Sequence, residues 1–217
     1  MIPKLHYISQ GQTPEEHLEH IQKACTAGAE LVQLRLKKLP GKVVWETAKK
    51  AREITEKYQT RLIINDFYKI AASVKADGVH LGKTDTCPTV ARKELASWQI
   101  IGGTANTLED CEALLDKKVD YIGLGPFRFT KTKENLSPIL GLNGYLTMLE
   151  ELKSQVPVIA IGGIVLEDVT ELMKTGVHGI AVSGEITRNF NSISEFKKLI
   201  NRGPLDEQRW ISDEKIK

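Results

Sequence analysis

The chain has 217 residues, enough for one large domain, and its 41% apolar and 27% charged composition is that of an ordinary soluble protein. A net charge of +2 gives no reason to expect nucleic acid or an anionic membrane as a partner. No stretch is long and apolar enough to span a bilayer, and the N-terminus lacks a signal-peptide pattern, so the expected location is cytoplasmic.

Strand and helix patterns alternate along the chain. A β-rich run at residues 4–9 precedes an amphipathic segment at 14–27, with Thr13 as its expected N-cap and Leu18, Ile21 and Cys25 on one stripe. A second strand is expected at 31–37 and a second helix at 43–58. Further strands follow at 61–66, 78–82, 100–105, 121–125, 158–162 and 179–183, with helical patterns at 108–116 and 166–175. Such alternation implies parallel strands joined by crossover helices. Eight units in a chain of this length predict a (β/α)₈ TIM barrel over residues 1–203; an open doubly wound sheet would need fewer strands. Residues 204–217 are charged apart from Trp210 and Ile211, and read as a C-terminal tail that docks through those two residues or makes an oligomer contact. Cys25, Cys87 and Cys111 form no CxxC pair, which speaks against a disulfide framework or a zinc site.

The run Val32-Gln33-Leu34-Arg35-Leu36-Lys37 carries the first chemical signal. On a strand, Gln33, Arg35 and Lys37 share one face. In a barrel that face looks inward near the mouth, where two cations need an anion to answer them. Other strand ends offer matching groups. The third ends in Asn65-Asp66, and the fourth carries His80 and is followed by Asp85. An Asp after a strand is commonly a helix N-cap, but Asp66 and Asp85 on successive loops could share a hard cation such as Mg²⁺. Thr104 places a hydroxyl at the end of the fifth strand, and Thr107 is set to cap the next helix. After the sixth strand, Thr130, Thr132 and Lys133 form what in isolation would be a solvated basic loop, but beside these neighbours suits a phosphate clamp. Gly162-Gly163 and Ser183-Gly184 end the last two strands, where backbone N–H groups bind phosphate in this kind of barrel. Two phosphate sites are therefore expected, one for a metal-bound diphosphate and one for a phosphomonoester.

These segments, in this order, resemble the thiamine-phosphate synthase (thiamine-phosphate pyrophosphorylase) family from about Lys4 to Leu199. The resemblance rests on Gln33-Leu-Arg35-Leu-Lys37, Leu62-Ile-Ile-Asn65-Asp66, Ala76-Asp-Gly-Val-His80-Leu-Gly, Asp120-Tyr-Ile-Gly-Leu-Gly-Pro126, Thr130-Lys-Thr132-Lys133 and Val158-Ile-Ala-Ile-Gly162-Gly163-Ile164. It implies coupling of 4-amino-2-methyl-5-hydroxymethylpyrimidine diphosphate to 4-methyl-5-(2-hydroxyethyl)thiazole phosphate, with thiamine phosphate and diphosphate as products. By position, Arg35, Lys37, Asn65, Thr130, Thr132 and Lys133 would hold the diphosphate, while Asp66 and Asp85 would bind Mg²⁺. Gln33 would contact the pyrimidine, His80 would line its pocket, and Gly163, Ser183 and Gly184 would bind the thiazole phosphate. Arg35, Lys37, Thr104 and Lys133 make up the implied catalytic group.

Several positions depart from the family's commoner pattern. Thr104 replaces a serine, His6 a tyrosine, Gly184 a serine, and Phe127-Arg128-Phe129 a loop start with a proline before the threonine. A homodimer is compatible with the sequence. The rival readings are a thiazole tautomerase-like paralogue, whose proton transfer would need a base from His6 or His80, and a non-catalytic phosphate-ligand sensor.

Overall fold

The computed structural model describes residues 1–129 and 138–202. Its sheet is a closed parallel barrel in sequence order, β1 (Leu5–Ile8), β2 (Leu31–Leu34), β3 (Arg61–Asn65), β4 (Gly78–Leu81), β5 (Ile100–Ala105), β6 (Tyr121–Leu124), β7 (Val158–Ile161) and β8 (Gly179–Val182). The TIM-barrel expectation is met. Around the sheet lie α1 (Pro14–Thr26), α2 (Gly41–Lys57), α3 (Tyr68–Ser73), α4 (Pro88–Glu94), α5 (Leu108–Asp116), α6 (Gly141–Leu152), α7 (Val169–Lys174), α8 (Gly184–Arg188) and α9 (Ser192–Asn201). Among the described residues no helix is long and apolar enough to cross a membrane. Residues 204–217, the expected tail, lie outside the described residues.

Alternation along each strand divides the apolar residues into two groups. Leu5, Tyr7, Val32, Leu34, Leu62, Ile64, Ile122, Leu124, Val158 and Ala160 pack outward into the layer beneath the helices. A smaller cluster of Ile2, Ile8, Tyr121, Ile159 and Ala181 plugs the barrel interior. Gly102 makes room for that plug, because a Cβ there would lie 2.1 Å from Cζ of Tyr121. The helices meet the outer layer through stripes such as Val44, Thr47, Ala48, Ala51 and Thr55 on α2.

Local signals act as expected at several ends. Thr13 caps α1 by accepting the Glu16 N–H at 3.2 Å, and Thr107 forms a capping box with Asp110 at the start of α5. At the opposite end of the barrel, Asp77 accepts Leu62 N–H (2.8 Å) and the Arg52 guanidinium (2.5 Å). Asp120 repeats this with Ile101 N–H (2.7 Å) and Arg92 (2.5 Å). These carboxylates tie neighbouring strands and helices together away from the mouth.

The second strand is shorter than its hydropathy suggests. Pairing with β3 ends at Leu34–Ile64, and the Arg35 N–H turns to Ser9 Oγ at 3.2 Å. Arg35 and Lys37 therefore lie on the loop after β2, not on its inward face; only Gln33 has the strand position that alternation assigns. Strand pairing, which hydropathy does not encode, sets where the strand ends. The expected helix at 166–175 likewise divides into a 3₁₀ turn (Leu166–Asp168) and α7.

Candidate active site

The mouth of the barrel has an acidic side and a glycine-rich side. On the first, register sets Asn65 of β3 opposite His80 of β4. Asp66 follows with φ +65°, a left-handed conformation that Asp enters more readily than most residues, and its N–H bonds His80 O at 2.9 Å. It caps no helix: α3 begins after Phe67, without a side-chain cap. The N-cap alternative for Asp66 is thereby removed.

Asp85 accepts Gly82 N–H at 2.6 Å and also reaches Asp66. Burial, then the hydrogen bond and charge of Asp85, push the Asp66 carboxyl up to about 7, against the pull of Lys37 and Arg35. Asp66 thus holds its proton more tightly than an ordinary carboxyl, beside a second carboxylate and two cations. Arg35 is partly desolvated, which draws its guanidinium below the ordinary value, and Asp66 opposes that shift. Lys37 is exposed. So the loop placement of these cations preserves their expected proximity to the carboxylates.

Asn65 supplies a second sign of an absent partner. It is only 5% exposed, and its Nδ2 is the one buried side-chain polar atom without a hydrogen-bond partner among the described residues. A buried donor left this way costs about 1–3 kcal/mol, so it is retained against folding stability.

Below the mouth lies a polar layer. His80 bonds the Tyr121 hydroxyl through Nδ1 (3.0 Å) and Thr104 Oγ1 through Nε2 (2.9 Å), and its ring stacks on Tyr121 with centroids 5.5 Å apart. Gln33 also hydrogen-bonds Tyr121, whose phenol is raised by burial. His6 is held at about 3 by burial, so it is neutral; its Nε2–H donates to Pro3 O at 3.0 Å. That bond directs His6 towards the floor of the barrel, which corrects the expectation that it stands at the mouth. Asn106 gives its amide N–H to Gly125 O.

The glycine-rich side is a cavity of about 680 Å³ lined by Ile8, Arg35, Gly162, Gly163, Ser183 and Gly184, among others. Gly162 and Gly163 have φ of +105° and +69°, a turn that side chains other than glycine strain to adopt. Ser183 uses its hydroxyl to donate to Ile8 O at 2.9 Å, so an anion here would meet backbone groups. Arg35 lines this cavity and also acts on Asp66, joining the two sides. Sequence reasoning missed Tyr121, the first residue of β6, and Gln10 and Arg188, which flank Gly184; Tyr121 and Gln10 are marked only by nearness to strand ends, and Arg188, at the end of α8, by nothing local. Thr130, Thr132 and Lys133 lie outside the described residues.

A family model described as thiamine monophosphate synthase matches residues 5–186. The chain belongs to the thiamine monophosphate synthase family. It is 49% identical over 192 residues to a thiamine-phosphate synthase of Flavobacterium johnsoniae, covering 87% of this chain and 91% of that one. A thiamine-phosphate synthase of Bacteroides fragilis is 40% identical over 200 residues, 91% of this chain and 98% of the relative. Among solved structures, a thiamine phosphate pyrophosphorylase from Pyrococcus furiosus superposes with a TM-score of 0.76 at 30% identity, covering 91% of this chain and 95% of that one. The family match runs from β1 into α8, so every described candidate from Gln33 to Gly184 falls inside the thiamine monophosphate synthase region.

Proposed function

We propose that this chain is a thiamine-phosphate synthase, a transferase that joins the pyrimidine diphosphate and the thiazole phosphate named above, releasing diphosphate. The observation that carries the reading is the orphaned Asn65 donor beside the Asp66–Asp85 carboxyl pair. The combination supports a site for an anion that arrives with a cation.

The donor set suits Mg²⁺. Two carboxylates side by side, Asp66 and Asp85, are hard oxygen donors, and Mg²⁺ commonly takes one or two carboxylates together with substrate phosphate and water oxygens. Bound between Asp66 and Asp85, Mg²⁺ would supply positive charge against the charge growing on the departing diphosphate.

The chain's own residues would do the rest. Asn65 Nδ2 would donate to a diphosphate oxygen, and Arg35 and Lys37 would balance its charge, with Thr130, Thr132 and Lys133 completing the clamp. Gln33 and the layer of His80, Tyr121 and Thr104 would seat the pyrimidine, while backbone N–H groups of Gly163, Ser183 and Gly184 hold the thiazole phosphate. As the methylene–oxygen bond breaks, its electron pair leaves with diphosphate, and the pyrimidine amino group feeds electrons to the resulting cation. The thiazole nitrogen then attacks that carbon. It carries no proton, so no base is required, and holding the two rings in register provides much of the acceleration.

The histidines support coupling over tautomerisation: His80 has both ring nitrogens engaged and His6 faces the barrel floor. The test is diphosphate release by purified protein with Mg²⁺ and each substrate alone or both together. Release with both only, matched by thiamine phosphate, is expected. A folded protein that forms no thiamine phosphate overturns the proposal.

A further inference from the structure

Arg128 departs from the family's loop pattern, and none of the roles above employs it. Its position is specific. Arg128 N–H donates to Gly162 O at 3.0 Å, and the preceding Phe127 N–H donates to Ile161 O at 2.8 Å. The Arg128 guanidinium meets Asp168 Oδ1 at 2.5 Å and lies 5.1 Å from the Phe127 ring centroid. The other oxygen of Asp168 accepts Val165 N–H at 2.9 Å. A ring of bonds thus closes around the turn from Gly162 to Val165. The Arg128 stem also covers Gly163, where a Cβ would lie 2.5 Å from Arg128 Cγ.

We infer that the Arg128–Asp168 pair is a positioning device for the phosphomonoester site, an inference that rests on the synthase reading for the identity of that ligand. Two consecutive left-handed glycines have much conformational freedom to lose, and a turn already fixed binds its ligand at lower entropic cost. Charge works in the same direction. Asp168 is 11% exposed and stands beside a turn assigned to an anion; unpaired, it would repel that anion. Arg128 both neutralises Asp168 and aims it at Val165 N–H. Neither residue needs to touch the substrate.

The test compares wild type with Arg128→Ala, Arg128→Lys, Asp168→Asn and the Arg128→Ala/Asp168→Asn double variant. KM is measured for each substrate, and binding of the thiazole phosphate is measured directly by calorimetry. Arg128→Ala is expected to weaken the thiazole phosphate about tenfold in both KM and Kd, with kcat and the KM for pyrimidine diphosphate changed less than about twofold. Arg128→Lys recovers part of the loss, and so does adding Asp168→Asn to Arg128→Ala, since it removes the stranded charge. Equal changes in both KM values, or a lower Tm with neither KM changed, overturn the inference and leave the pair a structural brace. Should Arg128→Ala not fold, Arg128→Lys and Asp168→Asn carry the same comparison. Wild-type protein that makes no thiamine phosphate refutes the synthase reading instead, and calorimetry alone then decides whether the pair serves a phosphomonoester site.

Discussion

Replacing Asn65 with leucine should make the free protein more stable and the enzyme much worse. Asn65 Nδ2 is buried without a partner. An unsatisfied buried donor costs about 1–3 kcal/mol, and an apolar side chain of similar volume removes that cost while filling the same space. A net gain of about 1–2 kcal/mol is therefore expected for Asn65→Leu. For a chain of this length that raises Tm by roughly 2–8 °C. The same change removes a donor to a charged oxygen, worth about 1.5–3 kcal/mol, or roughly 10- to 150-fold in kcat/KM. Differential scanning calorimetry without ligand and a diphosphate-release assay read the two effects separately. If Tm falls, Nδ2 is satisfied in solution and the reasoning fails. If Tm rises but kcat/KM is unchanged, the donor does not serve the substrate.

Asp66→Ala should abolish turnover while leaving the protein folded, measured as thiamine phosphate formed against an unchanged circular dichroism spectrum. Asp66 titrates near 7 in the fold against an ordinary value of 3.8, so the folded chain keeps a proton that the unfolded chain releases. Its contribution to stability is thus full below pH about 4 and lost as pH rises to about 7. Mg²⁺ bound as proposed would displace that proton, so the thermal shift produced by Mg²⁺ should grow from pH 5 to 8 and then level off; Asp85→Asn should move this rise to lower pH without removing it, because burial is the larger cause. Gly163→Ala, at φ +69° and with its Cβ 2.5 Å from Arg128 Cγ, should raise KM for the thiazole phosphate more than about tenfold in steady-state assays. Thr107→Ala breaks the α5 capping box and should cost about 1 kcal/mol by denaturant unfolding.

How much of this was legible in the sequence varies with the range of the interaction involved. The periodicities that revealed β3, β4, α1 and α5 are local, and so are the caps at Thr13 and Thr107. Gly162 and Gly163 were legible as a turn because few other residues tolerate their conformation. The end of β2 was not, because Leu36 continues the alternation while the Arg35 N–H has already left the sheet for Ser9 Oγ. His6, which replaces a tyrosine of the family pattern, read as a candidate base; only the bond to Pro3 O shows it facing the floor.

Sequence by itself determined the barrel, and it placed a carboxylate group and a glycine group at different strand ends. Those features follow from residue type and spacing, which each segment carries within itself. Tertiary structure alone decided that Asp85 stands against Asp66 and raises its carboxyl, that Asn65 Nδ2 is buried without a partner, and that Arg128 reaches Asp168 across 40 residues. Each of these depends on distances between segments and on how much water remains around a group, and no single segment encodes either quantity.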